Sequence, residues 1–188
     1  MRKRDIGLLA ESYLKKLGRL VRKRDLERIG YFDAPASASH HLAEHGGLLR
    51  HSENVTKWLL ILTDSMYVNW PRRESVYIVG MLHDVVKAMC YEFKPGGAEE
   101  HIVRKPHPYA GHGAASVAII SAELGLKLYP AEASAIMHHM GAFNLQGYDL
   151  KDYDLALGIY PKEIIATHTA DMLAARFDER NTYARADN

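Results

Sequence analysis

Apolar residues recur every three or four positions along most of the chain, and this pattern predicts a predominantly α-helical fold. Residues 5–29 carry the first such pattern and predict an amphipathic helix that ends at Gly30. Further helices are predicted over residues 47–63, 71–89 and 113–124, from Pro130 to Gly141 and from Pro161 to about Phe177. We therefore expect an all-α fold of about seven helices.

Two stretches interrupt the helical pattern. Between residues 90 and 110, the segments Tyr91–Lys94 and Ile102–Lys105 flank a proline- and glycine-rich turn and predict a small β-hairpin. Residues 142–160 are predicted to form a long loop. We divide the chain into a basic N-terminal helix packed on the core, a main domain and a frayed polar tail, which cover residues 1–30, 31–177 and 178–188.

The composition is that of an ordinary globular domain. The chain has 188 residues, of which 47% are apolar and 25% are charged, and this length suffices for a hydrophobic core. Its single cysteine, Cys90, excludes an internal disulfide and fits a reducing compartment. The longest apolar runs, Trp58–Leu62 and Val76–Leu82, are far shorter than the roughly 20 residues of a membrane span. We expect a cytoplasmic protein without a membrane span.

Charge is distributed unevenly, although the formal net charge is only +1. Residues 1–30 contain ten Lys/Arg and four Asp/Glu, and the rest of the chain carries an excess of acidic groups. Two interpretations remain open, a contact with a nucleic-acid or phosphate backbone and the solvated face of an amphipathic helix. The charge pattern alone favours the second.

The strongest sign of chemistry is an adjacent pair, His83-Asp84, that follows the apolar run Val76–Leu82. Burying an imidazole beside a carboxylate is costly unless both are satisfied, and a metal ion satisfies both. In a helix the two residues lie about 100° apart, so both can face one inner arc. Lys87 follows His83 by four residues and reaches the same arc. A metal site beside a buried cation indicates chemistry on an anionic substrate.

Other histidines and acids also lie where helices are predicted, and the chain has eleven histidines in all. A helical bundle can collect such side chains in its core from facing helices. A lone histidine on an apolar face is usually a hydrogen-bonded core residue, but so many on separate helices are hard to explain in that way. The candidate metal ligands are His51, His83, Asp84, His112, His138, His139 and Asp171.

This set resembles the HD-domain superfamily of metal-dependent phosphohydrolases, which is named for its adjacent His-Asp pair. The core pattern of that superfamily is matched by His51, His83, Asp84 and Asp171. The extra histidines of the subset that holds two metals are matched by His112, His138 and His139.

The surrounding residues narrow the resemblance. The segment Phe32–Ala36, followed by His40-His41 and Gly46–His51, is most similar to the HD exoribonucleases that degrade RNA from its 3′ end. Lys87 matches the lysine of the family's His-Asp-Ile-Gly-Lys sequence, although the glycine is absent here. Met140–Phe143 lacks the Gly-Tyr-Pro signature of the cyclic-di-GMP phosphodiesterases.

The resemblance implies an HD-domain helical bundle with a small β-hairpin insertion and a centre of two divalent ions, which could be Mn, Fe, Co, Ni or Zn. In that centre Asp84 would bridge the two ions. The remaining ligands would be His51, His83 and Asp171 for one ion, and His112, His138 and optionally His139 for the other.

The implied reaction is attack of a metal-activated hydroxide on a phosphomonoester or phosphodiester of a nucleotide or of a single-stranded nucleic-acid 3′ end. Asp84 and Lys87 would be the catalytic residues, with the lysine neutralising charge on the phosphoryl oxygens. Substrate contacts are expected from His41 at the entrance and from a cationic hairpin that carries Lys94, Arg104 and Lys105.

Two alternatives share the same ligand pattern. Some HD-fold proteins that hold two irons are oxygenases, and these lose activity when manganese replaces iron. A non-catalytic, metal-dependent nucleotide-binding protein is the other alternative, and only a demonstration of turnover separates it from an enzyme.

Overall fold

Nine α-helices and one small β-hairpin make up the part of the chain that the structure describes. The structure is a computed structural model, and it describes residues 7–96, 99–106, 111–142 and 148–179. The helices are α1 (Leu8–Leu17), α2 (Lys23–Arg28), α3 (Gly47–Ser65), α4 (Ser75–Leu82), α5 (Lys87–Cys90), α6 (His112–Ala122), α7 (Pro130–Met137), α8 (Tyr148–Ile159) and α9 (Pro161–Leu173). The strands are β1 (Tyr91–Gly96) and β2 (Glu99–Arg104), and a π-helical segment covers Ala174–Asp178. The predicted all-α fold with a hairpin is confirmed at this level.

The hairpin is antiparallel, with Tyr91 paired to Arg104 at its base and Gly96 paired to Glu99 near its tip. Among the described residues, no helix is both long enough and apolar enough to cross a membrane.

Helix α3 is the central element of the bundle and packs against α1, α4 and α9. Its buried residues Leu48, Val55 and Leu59 recur at helical spacing and form one inward face. The contact with α4 is close because Gly80 has no side chain. A Cβ atom at Gly80 would overlap Thr56 Oγ1 and lie 2.8 Å from Thr56 Cα. This glycine therefore lets α4 approach α3 almost backbone to backbone.

Helix α7 is fixed between α4, α6 and α9. Glu132, in its first turn, is completely buried and forms a two-pronged ion pair with Arg72, at 2.7 Å for both contacts. Its carboxylate also accepts hydrogen bonds from Ser75 Oγ at 2.7 Å and from the backbone N–H of Tyr129 at 2.8 Å. This network joins the start of α7 to the start of α4 and so fixes the position of the two helices relative to each other.

The N-terminal region differs from the single helix predicted over residues 5–29. Helix α1 ends at Leu17, and both Leu20 and Val21 donate backbone hydrogen bonds to the Leu17 carbonyl before α2 begins. Gly18 follows α1 directly, and glycine is a poor residue for continuing a helix. Helix α1 packs against α3 and α4 and buries Tyr13 and Leu17, so its apolar face belongs to the core.

Two further expectations are wrong in their details. The helix predicted over residues 71–89 is divided into α4 and α5, with a turn at 83–86 between them. Within the loop predicted over residues 142–160, the structure contains α8, and residues 143–147 lie outside the described part. Leu155 and Ile159 of α8 are exposed. The apolar residues of this helix therefore do not mark a single buried face, and their spacing in the sequence did not indicate a helix.

Candidate metal centre

The His83-Asp84 pair lies at the end of a helix that is buried on nearly every side. Helix α4 ends at Leu82, and the chain then tightens into a turn with i→i+3 hydrogen bonds, from Val85 N to Leu82 O at 3.1 Å and from Lys87 N to Asp84 O at 2.9 Å. His83 and Asp84 are 0% and 2% exposed. The pair therefore lies in a buried turn. The sequence analysis had placed it within a continuous helix over residues 71–89, and this prediction is wrong.

Five of the predicted ligands meet around this turn. They are His51 from α3, His83 and Asp84 from the turn, His139 from the residues after α7, and Asp171 from α9. His51 Nε2 lies 3.1 Å from Asp171 Oδ1 and 3.3 Å from His83 Nε2, and His139 Nε2 lies 3.4 Å from Asp84 Oδ1. Two overlapping triads, His51/His83/Asp171 and His83/Asp84/His139, each have ligand atoms within 4.8 Å of one another. We call these five residues the His/Asp cluster.

The imidazole rings are oriented by hydrogen bonds on their outer nitrogens. His83 Nδ1 lies 3.0 Å from the Gly80 carbonyl, and His139 Nδ1 lies 2.7 Å from the Ile136 carbonyl. A carbonyl can only accept, so each Nδ1 carries the hydrogen and each neutral ring presents its Nε2 lone pair to the cluster. His51 follows the same pattern, because its Nδ1 lies 3.0 Å from a carboxylate oxygen and its Nε2 faces inward. Histidines that bind metals are held in this way.

The cluster also contains buried atoms that need a positive partner. Asp84 Oδ1 and His139 Nε2 are fully enclosed and have no hydrogen-bond partner among the described residues. While the His139 ring is neutral, its Nε2 and the Asp84 oxygen are both acceptors and cannot satisfy each other, so a proton or a metal ion must lie between them. Leaving such groups unpaired in the interior costs free energy. A divalent metal ion would satisfy both, and mixed nitrogen and oxygen ligands suit Mn, Fe, Co, Ni or Zn.

The charges within the cluster are strongly coupled. Burial lowers the pKa of His51, but hydrogen bonds and attraction from Asp171 and Glu179 outweigh it and raise that pKa to about 9. For His83 burial dominates and lowers the pKa to about 4, although Asp84 opposes this shift. Burial raises the pKa of the Asp84 carboxyl, yet Lys87 and His139 bring it well below its usual range. Burial lowers the pKa of His139, but hydrogen bonding and attraction from Asp84 outweigh burial and raise it. Without a metal, the ionised Asp84 therefore lies beside histidines, His51 among them, whose affinity for a proton is increased.

Lys87 lies where the sequence predicted it, beside Asp84. Its Nζ is 2.5 Å from Asp84 Oδ2, and its side chain is 11% exposed. Burial alone would lower the pKa of Lys87, but the Asp84 carboxylate outweighs burial and raises it. The ammonium group is therefore charged at the edge of the cluster.

The predicted histidines His112 and His138 are placed differently from the cluster. His112 begins α6 and is half-buried. Burial lowers the pKa of its ring; the Asp84 carboxylate opposes this shift and the Lys87 ammonium adds to it. His138 packs its ring against Tyr153 at a centroid distance of 5.4 Å. His139 Nε2, in contrast, lies 3.4 Å from Asp84 Oδ1, so of the two adjacent histidines it is His139 that faces Asp84.

The predicted substrate contacts divide into two groups. The His41 ring lies 5.2 Å from the His51 ring, so His41 borders the cluster. Lys94, Arg104 and Lys105 lie on or directly after the hairpin strands, and Lys94 forms an ion pair with Glu92 at 3.0 Å. Arg104 is close enough to His112 to lower its pKa after the larger effect of burial.

Sequence reasoning missed a buried acid beside the cluster, Glu179, which it assigned to a frayed tail. Glu179 is 1% exposed and hydrogen-bonds to His51, and the preceding Asp178 accepts a hydrogen bond from Trp58 Nε1 at 2.8 Å. The first two residues of the predicted tail are thus packed, and residues 180–188 lie outside the described part. The only signal in the sequence was an acidic pair seven and eight residues after Asp171.

No protein-family model, curated protein or solved structure matches this chain. The function must therefore be inferred from the residues of the His/Asp cluster and their surroundings.

Proposed function

We propose that this protein is a metal-dependent phosphohydrolase of the HD type, with the His/Asp cluster as its metal site. The observation that carries the proposal is the convergence of three inward-facing Nε2 atoms on two buried carboxylates, with Asp84 Oδ1 and His139 Nε2 lacking any hydrogen-bond partner among the described residues. A structural histidine in a core usually has a hydrogen-bond partner for each ring nitrogen, so an unpartnered Nε2 that faces an unpartnered carboxylate oxygen is unusual there.

The two carboxylate oxygens of Asp84 face different candidate ligands. Its Oδ2 lies on the side of His51 and His83, at 3.8 Å and 3.7 Å, and Asp171 completes that side. Its Oδ1 faces His139. One divalent ion would be held by His51, His83, Asp84 and Asp171. A second would use the other oxygen of Asp84 with His139, and His112, whose pKa Asp84 raises against the larger effect of burial, is a further candidate from the predicted set.

A bound divalent metal ion would lower the pKa of a coordinated water and stabilise negative charge on a phosphoryl group. Asp84 would be fixed for this task by its burial and by its ion pair with Lys87. The Lys87 ammonium is charged and partly exposed, so it can bind a phosphoryl oxygen from the solvent side. Cys90 is buried, and burial raises the pKa of its thiol, so the residue is unsuited to act as a nucleophile.

The proposed substrates are phosphomonoesters or phosphodiesters of nucleotides or of nucleic-acid 3′ ends. Lys87 supplies the anion-binding charge, and His41 borders the same side of the cluster near His51. Asp171 is 17% exposed, so the site can be reached from solvent along this edge.

The test is metal content and turnover in the native chain, in Asp84→Ala and in Lys87→Met. We expect about two equivalents of transition metal in the native chain and hydrolysis of a chromogenic phosphodiester. Asp84→Ala should lose both metal and activity, whereas Lys87→Met should retain metal and lose turnover by about 10²-fold or more. Circular dichroism checks that both variants fold.

Three outcomes would contradict the proposal. The first is no metal uptake after reconstitution with Mn²⁺, Fe²⁺, Co²⁺, Ni²⁺ or Zn²⁺. The second is oxygen consumption that requires iron, with no phosphate ester hydrolysed. The third is metal binding without any turnover of nucleotides, phosphodiesters or RNA ends, which would indicate a binding protein.

A further inference from the structure

A buried carboxylate lies directly behind His51, on the side away from the cluster. Glu179 Oε1 and Oε2 lie 3.0 Å and 3.2 Å from His51 Nδ1. The two residues are 128 positions apart, and each side chain is 1% exposed. His51 is thus held between Glu179 on its Nδ1 side and Asp171 on its Nε2 side, where the distance is 3.1 Å.

The backbone after α9 brings Glu179 to this position. Residues Ala174–Asp178 are π-helical, and the Glu179 N–H donates to the Ala174 carbonyl, five residues earlier, at 3.1 Å. In a regular α-helix the residue seven positions after Asp171 returns to its face, but a π-turn contains an extra residue and shifts that position by one. Single π-turns of this kind occur frequently at functional sites.

The segment is also fixed by the acid next to Glu179. Asp178 Oδ2 accepts hydrogen bonds from Trp58 Nε1 at 2.8 Å and from Lys57 Nζ at 3.3 Å. Two consecutive carboxylates therefore dock the segment on α3, and only the second contacts a residue of the His/Asp cluster.

The Glu179 carboxylate is well suited to stay ionised in its buried site. Asn54 Nδ2 donates to its Oε1 at 3.0 Å, and His41 Nε2 lies 3.7 Å from its Oε2. A charged acceptor of this kind holds the hydrogen on His51 Nδ1 and makes Nε2 a better electron donor.

We infer that Glu179 is a positioning residue for the metal site, which holds the His51 ring with its Nε2 lone pair directed at the His/Asp cluster. The inference rests on the metal binding that the proposed function requires. It makes the C-terminal π-helical segment part of the site, because His51 keeps its orientation only while that segment is docked on α3.

The test compares Mn²⁺ and Co²⁺ affinity, by titration calorimetry of metal-free protein, in the native chain, Glu179→Gln, Glu179→Leu and Asp178→Asn. Glu179→Leu removes the acceptor and should lower affinity about 10- to 100-fold. Glu179→Gln keeps an amide oxygen in the same place and should lose clearly less. Asp178→Asn is the matched control, because it removes the charge of the neighbouring acid while its amide oxygen can still accept from Trp58 and keep the segment docked, and its affinity should stay at the native value.

The absorption spectrum of the Co²⁺-loaded protein provides a second readout, since a merely destabilised fold would not alter ligand geometry. We expect a changed spectrum in both Glu179 variants and a native spectrum in Asp178→Asn. Native-like affinity and spectrum in Glu179→Gln and Glu179→Leu would overturn the inference and leave the proposed function intact. Loss of affinity in these variants, in a chain that binds metal but hydrolyses no phosphate ester, would support the inference and overturn the function. A native chain that binds no metal would overturn both.

Discussion

His51 Nε2 and His83 Nε2 lie 3.3 Å apart in the buried centre of the bundle. The outer nitrogen of each ring is already engaged, with Glu179 and with the Gly80 carbonyl respectively. Two neutral rings in this arrangement would direct lone pairs at each other, so a proton or a cation must lie between the imidazoles. In the metal-free protein His51 carries the proton, because Asp171 and Glu179 outweigh burial and raise its pKa to about 9.

Metal binding should therefore release a proton and should weaken as the pH falls. His51 is protonated in the metal-free protein below pH 9 and must be neutral to bind through Nε2. Each pH unit below 9 should lower the apparent affinity about tenfold per proton released. Titration calorimetry in buffers of different ionisation enthalpy at pH 7 should show about one proton released per ion at this site. Affinity that does not change between pH 6 and pH 8 would contradict this account.

The pair His138-His139 gives a prediction in which one residue is the control for its neighbour. His139 is completely buried and faces Asp84 Oδ1 at 3.4 Å, while His138 packs on Tyr153. We expect His139→Ala to lose one bound ion or at least about tenfold in metal affinity, because a ligand is removed. His138→Ala should retain native metal content. Elemental analysis of both variants after dialysis measures this, and the reverse result would mean that His138 is the ligand.

The helices that carry the cluster were predictable because burial leaves a clear pattern in their sequence. The inward face of α3 repeats at helical spacing through Leu48, Val55 and Leu59, and α4 is buried nearly all round. His51, His83, Asp84 and Asp171 each follow or interrupt such a stretch of apolar residues. A polar residue at a buried position is conspicuous, and this is why the central part of the candidate site could be predicted.

Three features could not be predicted, and each depends on geometry that no local pattern encodes. The choice between His138 and His139 follows from the turn after Met137, and both residues suit a metal equally well. Glu179 is delivered by a π-turn, and its neighbours in the sequence are polar. Helix α8 has an apolar pattern that gives little sign of an inward face, because Leu155 is exposed.

The ion pair between Arg72 and Glu132 should contribute strongly to stability. Arg72→Ala leaves a completely buried carboxylate whose remaining partners, among the described residues, are Ser75 Oγ and the Tyr129 N–H. We expect a loss of about 3 kcal/mol in the free energy of unfolding, because removing one partner of a buried pair leaves an uncompensated charge. Urea unfolding of the metal-free protein measures the difference.

The control for this prediction is Arg28→Ala. Arg28 pairs with Glu123 at 2.9 Å, but both side chains are well exposed to solvent. Such pairs contribute roughly 1 kcal/mol or less. Equal losses in Arg28→Ala and Arg72→Ala would show that burial of Glu132 does not increase the cost of removing its partner.

The close contact of α3 and α4 at Gly80 should control both stability and metal binding. A Cβ atom at this position would overlap Thr56 Oγ1 and approach the Thr56 backbone, which cannot rotate away. We expect Gly80→Ala to lower the free energy of unfolding by about 1–3 kcal/mol through overpacking, although alanine favours helices more than glycine does. Separating the helices would also move His51 away from His83, so metal affinity should fall together with stability.

Gly18→Ala separates the effect of close packing from the general effect of replacing a glycine. Gly18 has a helical φ of −59°, and a Cβ atom there would meet its nearest neighbour at an ordinary 3.4 Å. This variant should be neutral or slightly more stable and should bind metal as the native chain does. Chemical unfolding and titration calorimetry of both variants give the comparison. If Gly80→Ala left both quantities unchanged, the spacing of α3 and α4 would not be what places His51 and His83 within reach of one ion.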